Sequence, residues 1–103
     1  MQHVTKGFNL FMTETPEMGQ AYMEMVKQNA QASSLDKKTQ ELAYIAVLSA
    51  IRMIGGLNFH VKSAKTLGAT RNEIKSAVLI GLPVAGITLV DALEAALCAY
   101  DEP

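Results

Sequence analysis

The chain has 103 residues, half of them apolar, and a net charge of −1 from nine basic and ten acidic side chains. This length predicts one domain, and the balanced charge, with no basic stripe, argues against nucleic-acid binding. The single cysteine, Cys98, excludes an internal disulfide, has no neighbouring Cys or His for a zinc site, and predicts a reducing, cytoplasmic location.

The apolar content exceeds what the core of so short a helical chain needs, because such a chain buries only about 60–70% of its extended surface. The surplus predicts contacts between identical subunits. The longest apolar run, "AVLIGLPVAGITLV" at residues 77–90, is too short to span a bilayer and contains Pro83. We expect it to be buried helix, with no membrane contact. The N-terminus lacks the apolar core of a signal peptide.

The first strong helix signal is "TPE" at residues 15–17, which supplies an N-cap, a first-turn proline and a first-turn acid. Apolar residues then recur at helical spacing as far as "QASSLD". The residues before this helix form either an arm or a short helix. A second helix is predicted to start near Asp36 and to stop at the glycine pair Gly55-Gly56.

Three more helices are predicted after the glycine pair. The third runs over residues 57–68 and ends at a C′ glycine, and its Lys62 and Lys65 are expected to face solvent. "TRNE" at residues 70–73 is a capping box that starts a fourth helix, which Pro83 ends. A fifth helix then runs to Tyr100. The pattern predicts an all-α domain of five helices joined by short turns.

Glu41 and His60 are candidates for proton transfer. Glu41 lies one turn inside an apolar helix, where the helix dipole alone favours a glutamate, or where its carboxylate takes part in catalysis. His60 lies on an apolar face, either as a hydrogen-bonded packing residue or as a proton shuttle, since its reference pKa of about 6.5 suits neutral pH. The residue pattern leaves both alternatives open.

Arg52 and the glycine pair predict a binding site for a small organic anion near His60. Arg52 either caps the last carbonyls of its helix or holds a carboxylate by a two-pronged hydrogen bond. Gly55 and Gly56 break the helix and let a ligand approach the backbone, and the following helix start offers free N–H groups. Burying Arg52 alone would be costly, so we expect a ligand carboxylate or Glu41 of a neighbouring subunit beside it. Pairing of Arg52 with a surface acid is the alternative.

Three features of residues 35–102 occur together: "LDKKTQEL", "FHVKSAKTLGATRNEI" and a glycine–proline break before the last helix. With these features the segment resembles the carboxymuconolactone decarboxylase and alkylhydroperoxidase D-like family. The resemblance implies a helical bundle built on a helical hairpin, assembled as a homo-oligomer, either a trimer or a hexamer. Residues 1–34 are then an N-terminal arm with the first helix, and residues 35–102 are the family core, within one domain overall.

The redox branch of that family carries a Glu, eleven residues, a Cys, two residues, a second Cys, three residues and a His. Glu41 and His60 match this frame in register, but the cysteine positions fall on Met53 and Gly56. Peroxide reduction by this motif needs one thiolate to attack and a second thiol to resolve the sulfenic acid. The resemblance therefore disfavours a thiol peroxidase.

The decarboxylase branch also lacks the cysteine pair and keeps a histidine here. It implies acid/base chemistry on a small carboxylated lactone or keto acid, without a cofactor or a metal ion, with catalytic His60 and Glu41 and with Arg52 on the carboxylate. A non-enzymatic, oligomeric, anion-binding protein is the alternative. Glu41 and His60 lie on either side of the helix break, so their contact requires a sharp helix crossing or a neighbouring subunit.

Overall fold

The chain folds entirely into helices, as predicted, with no strand. The computed structural model describes all of residues 1–103 and contains seven α-helices where five helices were predicted. Two short 3₁₀ turns, Ile54–Gly56 and Ile87–Val90, lie between them. The α-helices are α1 (Lys6–Glu14), α2 (Pro16–Ala32), α3 (Lys37–Ala50), α4 (Leu57–Thr66), α5 (Arg71–Leu79), α6 (Leu82–Ala85) and α7 (Asp91–Asp101).

Several helix ends lie where their local signals predicted. Asp36 caps α3 by accepting a hydrogen bond from the Thr39 N–H at 2.8 Å. Thr70 and Glu73 form the complete capping box of α5, with bonds of 3.1 and 2.9 Å. Gly68, with φ at +96°, follows the end of α4 in the left-handed region that favours glycine. These three predictions are confirmed.

The end of α3 lies earlier than predicted. The helix stops at Ala50, and Arg52 takes the left-handed conformation, with φ at +65°. The Met53 N–H then donates to the Leu48 carbonyl at 2.9 Å, which closes a Schellman-type end. The glycine pair belongs to the following 3₁₀ turn, so Arg52, and not the glycine pair, ends the helix.

The apolar run at residues 77–90 is not the buried helix that was expected. Its helical path is interrupted after Leu79 and again at Gly86, whose φ of +83° suits glycine. Ile80, Val84 and Ile87 are 69%, 90% and 74% exposed. The predicted fourth and fifth helices are therefore shorter, and much of this run lies on the surface. No helix of the chain combines the length and the apolar character needed to cross a bilayer.

The hydrophobic core lies between α3, α4, α5 and α7, which pack against one another. Each large aliphatic side chain buried there contributes roughly 1.5–3 kcal/mol. Helix α7 contributes only alanines to this core, and their small side chains suit close packing of helices. The core consists of Ile45, Leu57, Val61, Ala64, Ala69, Ile74, Ala77, Val78, Ala92, Ala96 and Ala99.

Helices α1 and α2 form a hairpin outside this core. Gly19 lets them approach closely, since a Cβ there would lie 2.8 Å from the Met12 sulfur. The rings of Phe8, Phe11 and Tyr22 pack edge to face, with centroids 5.8 to 6.2 Å apart. No residue of α1 and only Gly19 of α2 is buried. The hairpin is therefore held mainly by its own contacts.

Two lysines of α4 cap the C-terminus of α7. Lys62 donates to the Ala99 carbonyl at 3.1 Å and pairs with Glu102 at 3.0 Å, with its side chain only 14% exposed. Lys65 donates to the Tyr100 carbonyl at 2.6 Å. Since α7 has no basic residue in its last turn, these cations offset the negative end of its dipole. The prediction that Lys62 faces solvent is wrong, because its bonds to the end of α7 keep its side chain mostly buried.

Candidate functional site

Glu41 and His60 are in direct contact within one chain. Glu41 lies in the second turn of α3, and His60 lies in the first turn of α4. The turn after Arg52 brings α4 back onto α3, and His60 Nδ1 lies 2.7 Å from Glu41 Oε2. The side chains are 28% and 16% exposed. The helix crossing alone makes this contact, with no neighbouring subunit.

The contact orients the imidazole. With Nδ1–H donating to the Glu41 carboxylate, the lone pair lies on Nε2, the other ring nitrogen. Nε2 has no hydrogen-bond partner in the chain. Because no buried side-chain nitrogen or oxygen atom lacks such a partner, Nε2 must be accessible at the surface. The arrangement therefore presents one ring nitrogen for proton transfer and fixes the ring through the other.

Two aromatic rings flank His60. The Tyr44 ring centroid lies 5.1 Å from that of His60 at an interplanar angle of 55°, and the Phe59 ring lies at the same distance at 81°. Tyr44 follows Glu41 by three residues, so the two side chains share one face of α3. Sequence reasoning did not select Tyr44 or Phe59, although this spacing and the adjacency of Phe59 to His60 were the available signals.

Arg52 is exposed, which differs from the expectation of a buried cation. Its side chain is 60% exposed, and its Nη2 lies 3.4 Å from Asp91 Oδ2. An exposed pair at this distance contributes little to stability, roughly 0–1 kcal/mol. The structure pairs Arg52 with Asp91 and forms no ion pair between Arg52 and Glu41. Because Arg52 is not buried, its charge does not require a partner.

The glycine pair is closely packed. A Cβ on Gly56 would lie 3.0 and 3.2 Å from the methyl groups of Leu48, and a Cβ on Gly55 would lie 2.8 Å from the Thr5 methyl group. The open space expected at Gly56 is therefore filled by Leu48. The absence of side chains lets α3 and the N-terminal segment approach this turn.

Two of the N–H groups at the start of α4 are already in use. The Gly56 N–H donates to the Met53 carbonyl at 3.1 Å, and the Leu57 N–H donates to the Ile54 carbonyl. The 3₁₀ turn leads directly into α4 and satisfies these donors. Neither amide is free to hold an anion, in contrast to the expectation from the sequence.

No thiol lies in the frame shared with the redox motif. Met53 and Gly56 occupy the two cysteine positions, and the Met53 side chain is 57% exposed. Cys98 is an exposed free thiol on α7. The chain contains no group of three His, Cys, Asp or Glu side chains placed to hold a metal ion.

An apolar groove lies on another face of α3. This α3–α5 groove has a volume of about 640 Å³, and Glu41 and His60 do not line it. Lys38 on α3 and Glu73 on α5 form an ion pair of 2.9 Å across the same two helices. The apolar residues that line the groove are Leu42, Ala43, Ala46, Val47, Ala77 and Ile80.

Comparison with known proteins gives one match. A model of the carboxymuconolactone decarboxylase family matches residues 16–97. This range begins at the first residue of α2, ends within α7, and contains Glu41, Arg52 and His60. It is wider at its N-terminal end than the resemblance seen over residues 35–102. No curated protein and no solved structure matches the chain.

Proposed function

Because the chain belongs to the carboxymuconolactone decarboxylase family, we propose that it is a carboxy-lyase-like enzyme acting on a small carboxylated lactone or keto acid. The observation that carries this proposal is the 2.7 Å contact between His60 Nδ1 and Glu41 Oε2. A histidine whose second nitrogen is open, and whose first is held by a carboxylate, has the arrangement of a general acid–base group.

The proposed reaction needs one proton at carbon. The bond between the substrate carbon and its carboxylate breaks, CO₂ leaves, and the electron pair stays on carbon, where a conjugated carbonyl accepts it. His60 Nε2, which carries a lone pair, first takes up a proton from water and then delivers it to that carbon, and the remaining hydroxide combines with the released CO₂ as bicarbonate. Glu41 keeps the ring oriented throughout. Tyr44 and Phe59 shield the flanks of the ring from water.

Arg52 is the proposed carboxylate-binding residue. Its guanidinium is exposed and held only by the 3.4 Å contact with Asp91, so a ligand carboxylate can replace Asp91 as its partner. Gly55 and Gly56 shape the closely packed turn between Arg52 and His60, and their proposed part in the site is to set the relative positions of these two residues. No cofactor is needed for this chemistry.

We also propose a cytoplasmic homo-oligomer, a trimer or hexamer as the family resemblance implies. Residues 35–102 form its core-bearing part, and residues 1–34 form an arm outside that core, within one domain. The support is the exposed apolar surface of a single chain, with Met18, Ile80 and Val84 each more than 60% exposed. Surfaces of this kind are typical of subunit contacts.

The test of catalysis uses matched substitutions. CO₂ release is measured over a panel of carboxylated lactones and keto acids, for the parent and for His60→Gln. We expect His60→Gln to keep the helical circular dichroism and the oligomer mass while turnover falls by about 10²–10⁴-fold. Glu41→Gln should also lower turnover, because a neutral amide holds the ring less firmly.

The control is His3→Gln, which changes the only other histidine of the chain, at the exposed N-terminus. It should turn over substrate like the parent. Parental turnover in His60→Gln would overturn the assignment. A loss of turnover together with a melting temperature lowered by several degrees would show that His60 is a packing residue instead.

The second candidate function is a small-anion-binding oligomer without catalysis, which the exposed and weakly paired Arg52 favours. It predicts compounds of the panel that raise the melting temperature without CO₂ release. Stabilisation should be lost in Arg52→Ala. A compound that stabilises the parent and Arg52→Ala equally would contradict the placement of the anion at Arg52.

Thiol peroxidase activity remains the disfavoured third candidate. Met53 and Gly56 provide no attacking or resolving thiol, and Cys98 stands alone on α7. We expect no hydroperoxide consumption with a dithiol donor. Consumption that survives Cys98→Ser would contradict this expectation.

A further inference from the structure

The chain exposes more surface than a folded monomer of its mass needs. Its accessible surface is 6759 Å² at 11.1 kDa, whereas a compact monomer of that mass exposes about 5,650 Å². The radius of gyration, 13.9 Å, likewise exceeds the roughly 12.8 Å expected for a compact chain of this length. The surplus of about 1,100 Å² is larger than the roughly 800 Å² that one partner buries in a standard interface.

One part of this surplus is an apolar stripe on α2. Met18, Tyr22 and Met25 follow one another at spacings of four and three residues, so they share a face of the helix. They are 68%, 42% and 52% exposed. The hairpin contact with α1 uses Gly19 and one side of the Tyr22 ring, which packs against Phe8 and Phe11 and still leaves Tyr22 42% exposed. We refer to Met18, Tyr22 and Met25 as the α2 stripe.

The other part is the α3–α5 groove. Among the residues that line it, Val47 and Ile80 are 56% and 69% exposed, and Ala77 is buried. The groove runs from Thr39 to Val47 along α3, a rise of about 12 Å. The α2 stripe spans about 10 Å along its helix, so the groove is long enough to hold it.

We propose that the α2 stripe of one copy docks in the α3–α5 groove of a second copy. This proposal rests on the homo-oligomer of the proposed function and names its contact. The stripe and the groove are different patches on one chain, so the contact runs head to tail and closes into a ring where the rotation permits. A closed ring of this kind leaves no stripe and no groove uncovered.

A second copy is the proposed occupant because the single chain leaves both the α2 stripe and the groove uncovered. Ser33 and Asp36 are extended, the Leu35 N–H donates to Ser33 Oγ at 3.1 Å, and Gln40 Nε2 donates to the Leu35 carbonyl at 2.9 Å. These bonds lie within the short connection between α2 and α3, and the α2 stripe is exposed beside it. The stripe does not occupy the groove of its own chain.

The test is a mixing experiment on the full chain. Met25→Glu places a charge on the stripe, and Val47→Glu places one in the groove, both at exposed positions that need not affect folding. We expect light scattering at micromolar concentration to show an oligomer for the parent and a monomer for each variant. An equimolar mixture should recover a species of twice the monomer mass, because the intact stripe of Val47→Glu fits the intact groove of Met25→Glu.

Three results would overturn the proposal: a monomeric parent, a variant that stays assembled, or two monomeric variants that fail to associate when mixed. Unchanged mass with a lowered melting temperature in Met25→Glu would show docking within one chain instead. Gln20→Glu, on the exposed polar part of α2, is the control and should keep the parental mass. Ile80→Glu serves as a second groove variant if Val47→Glu does not fold. The mass measurement is independent of turnover, so failed catalysis leaves this proposal intact.

Discussion

At the scale of single residues, Arg52 shows a conflict between backbone and side chain. A non-glycine residue in the left-handed region costs roughly 1–2 kcal/mol, and the exposed pair with Asp91 returns at most about 1 kcal/mol. The free-energy cost of the left-handed backbone is therefore larger than the gain from the ion pair. Residues held in such conformations cluster at functional sites, which agrees with the proposed role of Arg52 in binding.

Arg52→Gly should be more stable than Arg52→Ala. Both lose the pair with Asp91, but only glycine fits a φ of +65° without strain. The gain is reduced by about 0.4–1 kcal/mol because glycine is freer in the unfolded chain. The melting temperatures of the two variants test this difference. Asp91→Asn removes only the ion pair and should change stability little. An Arg52→Ala variant that is more stable than Arg52→Gly would contradict the presence of backbone strain at this position.

The sequence identified Glu41 and His60 because the family frame fixes their spacing, and both lie in the contacting pair. The same reasoning expected a buried Arg52, because it placed the end of α3 at the glycine pair, several residues too late. Tyr44 was missed for another reason. Its part in the site depends on the packing of α4 against α3, which no local pattern reveals.

At the scale of elements, short-range features of the chain determine where several helices begin and end. Asp36, Thr70 and Gly68 act within a few residues of the chain, so the sequence predicted their helix ends correctly. Thr15 is a partial exception. It precedes α2 as predicted, but its hydroxyl donates to the Phe11 carbonyl of α1 and does not cap α2. The breaks at residues 80–90 were misplaced because the prediction placed its break at Pro83 and did not use Gly86, which was the available local signal.

Thr70→Ala should destabilise the protein more than Thr5→Ala. Both threonines accept a hydrogen bond from a first-turn N–H, at 3.1 Å in each case, and losing such a cap costs about 0.5–2 kcal/mol. Thr70 starts α5, which packs in the core, whereas Thr5 starts α1, which does not. Thermal unfolding should show a fall of roughly 4–8 °C per kcal/mol for Thr70→Ala. Equal falls would show that the hairpin unfolds together with the core.

At the scale of the whole molecule, exposed charged pairs link helices that are distant in sequence. Lys38 joins α3 to Glu73 on α5, and Arg71 joins α5 to Asp101 on α7 at 2.9 Å. The hydrogen bonds from Arg71 lower the pKa of Asp101, and the Thr70 N–H lowers the pKa of Glu73. The Thr39 N–H lowers the pKa of Asp36 in the same way. The all-α architecture was predictable, but these cross-helix links depend on the packing.

Acid should destabilise the fold through these carboxylates. Their folded-state pKa values lie below the ordinary values of 3.8 and 4.5, so their contribution is complete above those values and is lost as the pH falls through the lowered ones. Denaturation midpoints measured from neutral pH down to about pH 3 should therefore fall at the acid end. Asp101→Asn should lessen the dependence. A midpoint that rises on acidification would contradict the assignment.

The capping of α7 by Lys62 and Lys65 also bears on the order in which the chain folds. The Lys62 bond to Ala99 joins residues separated by 37 positions. Helix α7 can begin to form from local interactions, but its last carbonyls gain these donors only after α4 and α7 have met and the chain between them has closed into a loop. The C-terminal turn is therefore expected to order late in folding, and its amide hydrogens to exchange earlier than those of the core helices.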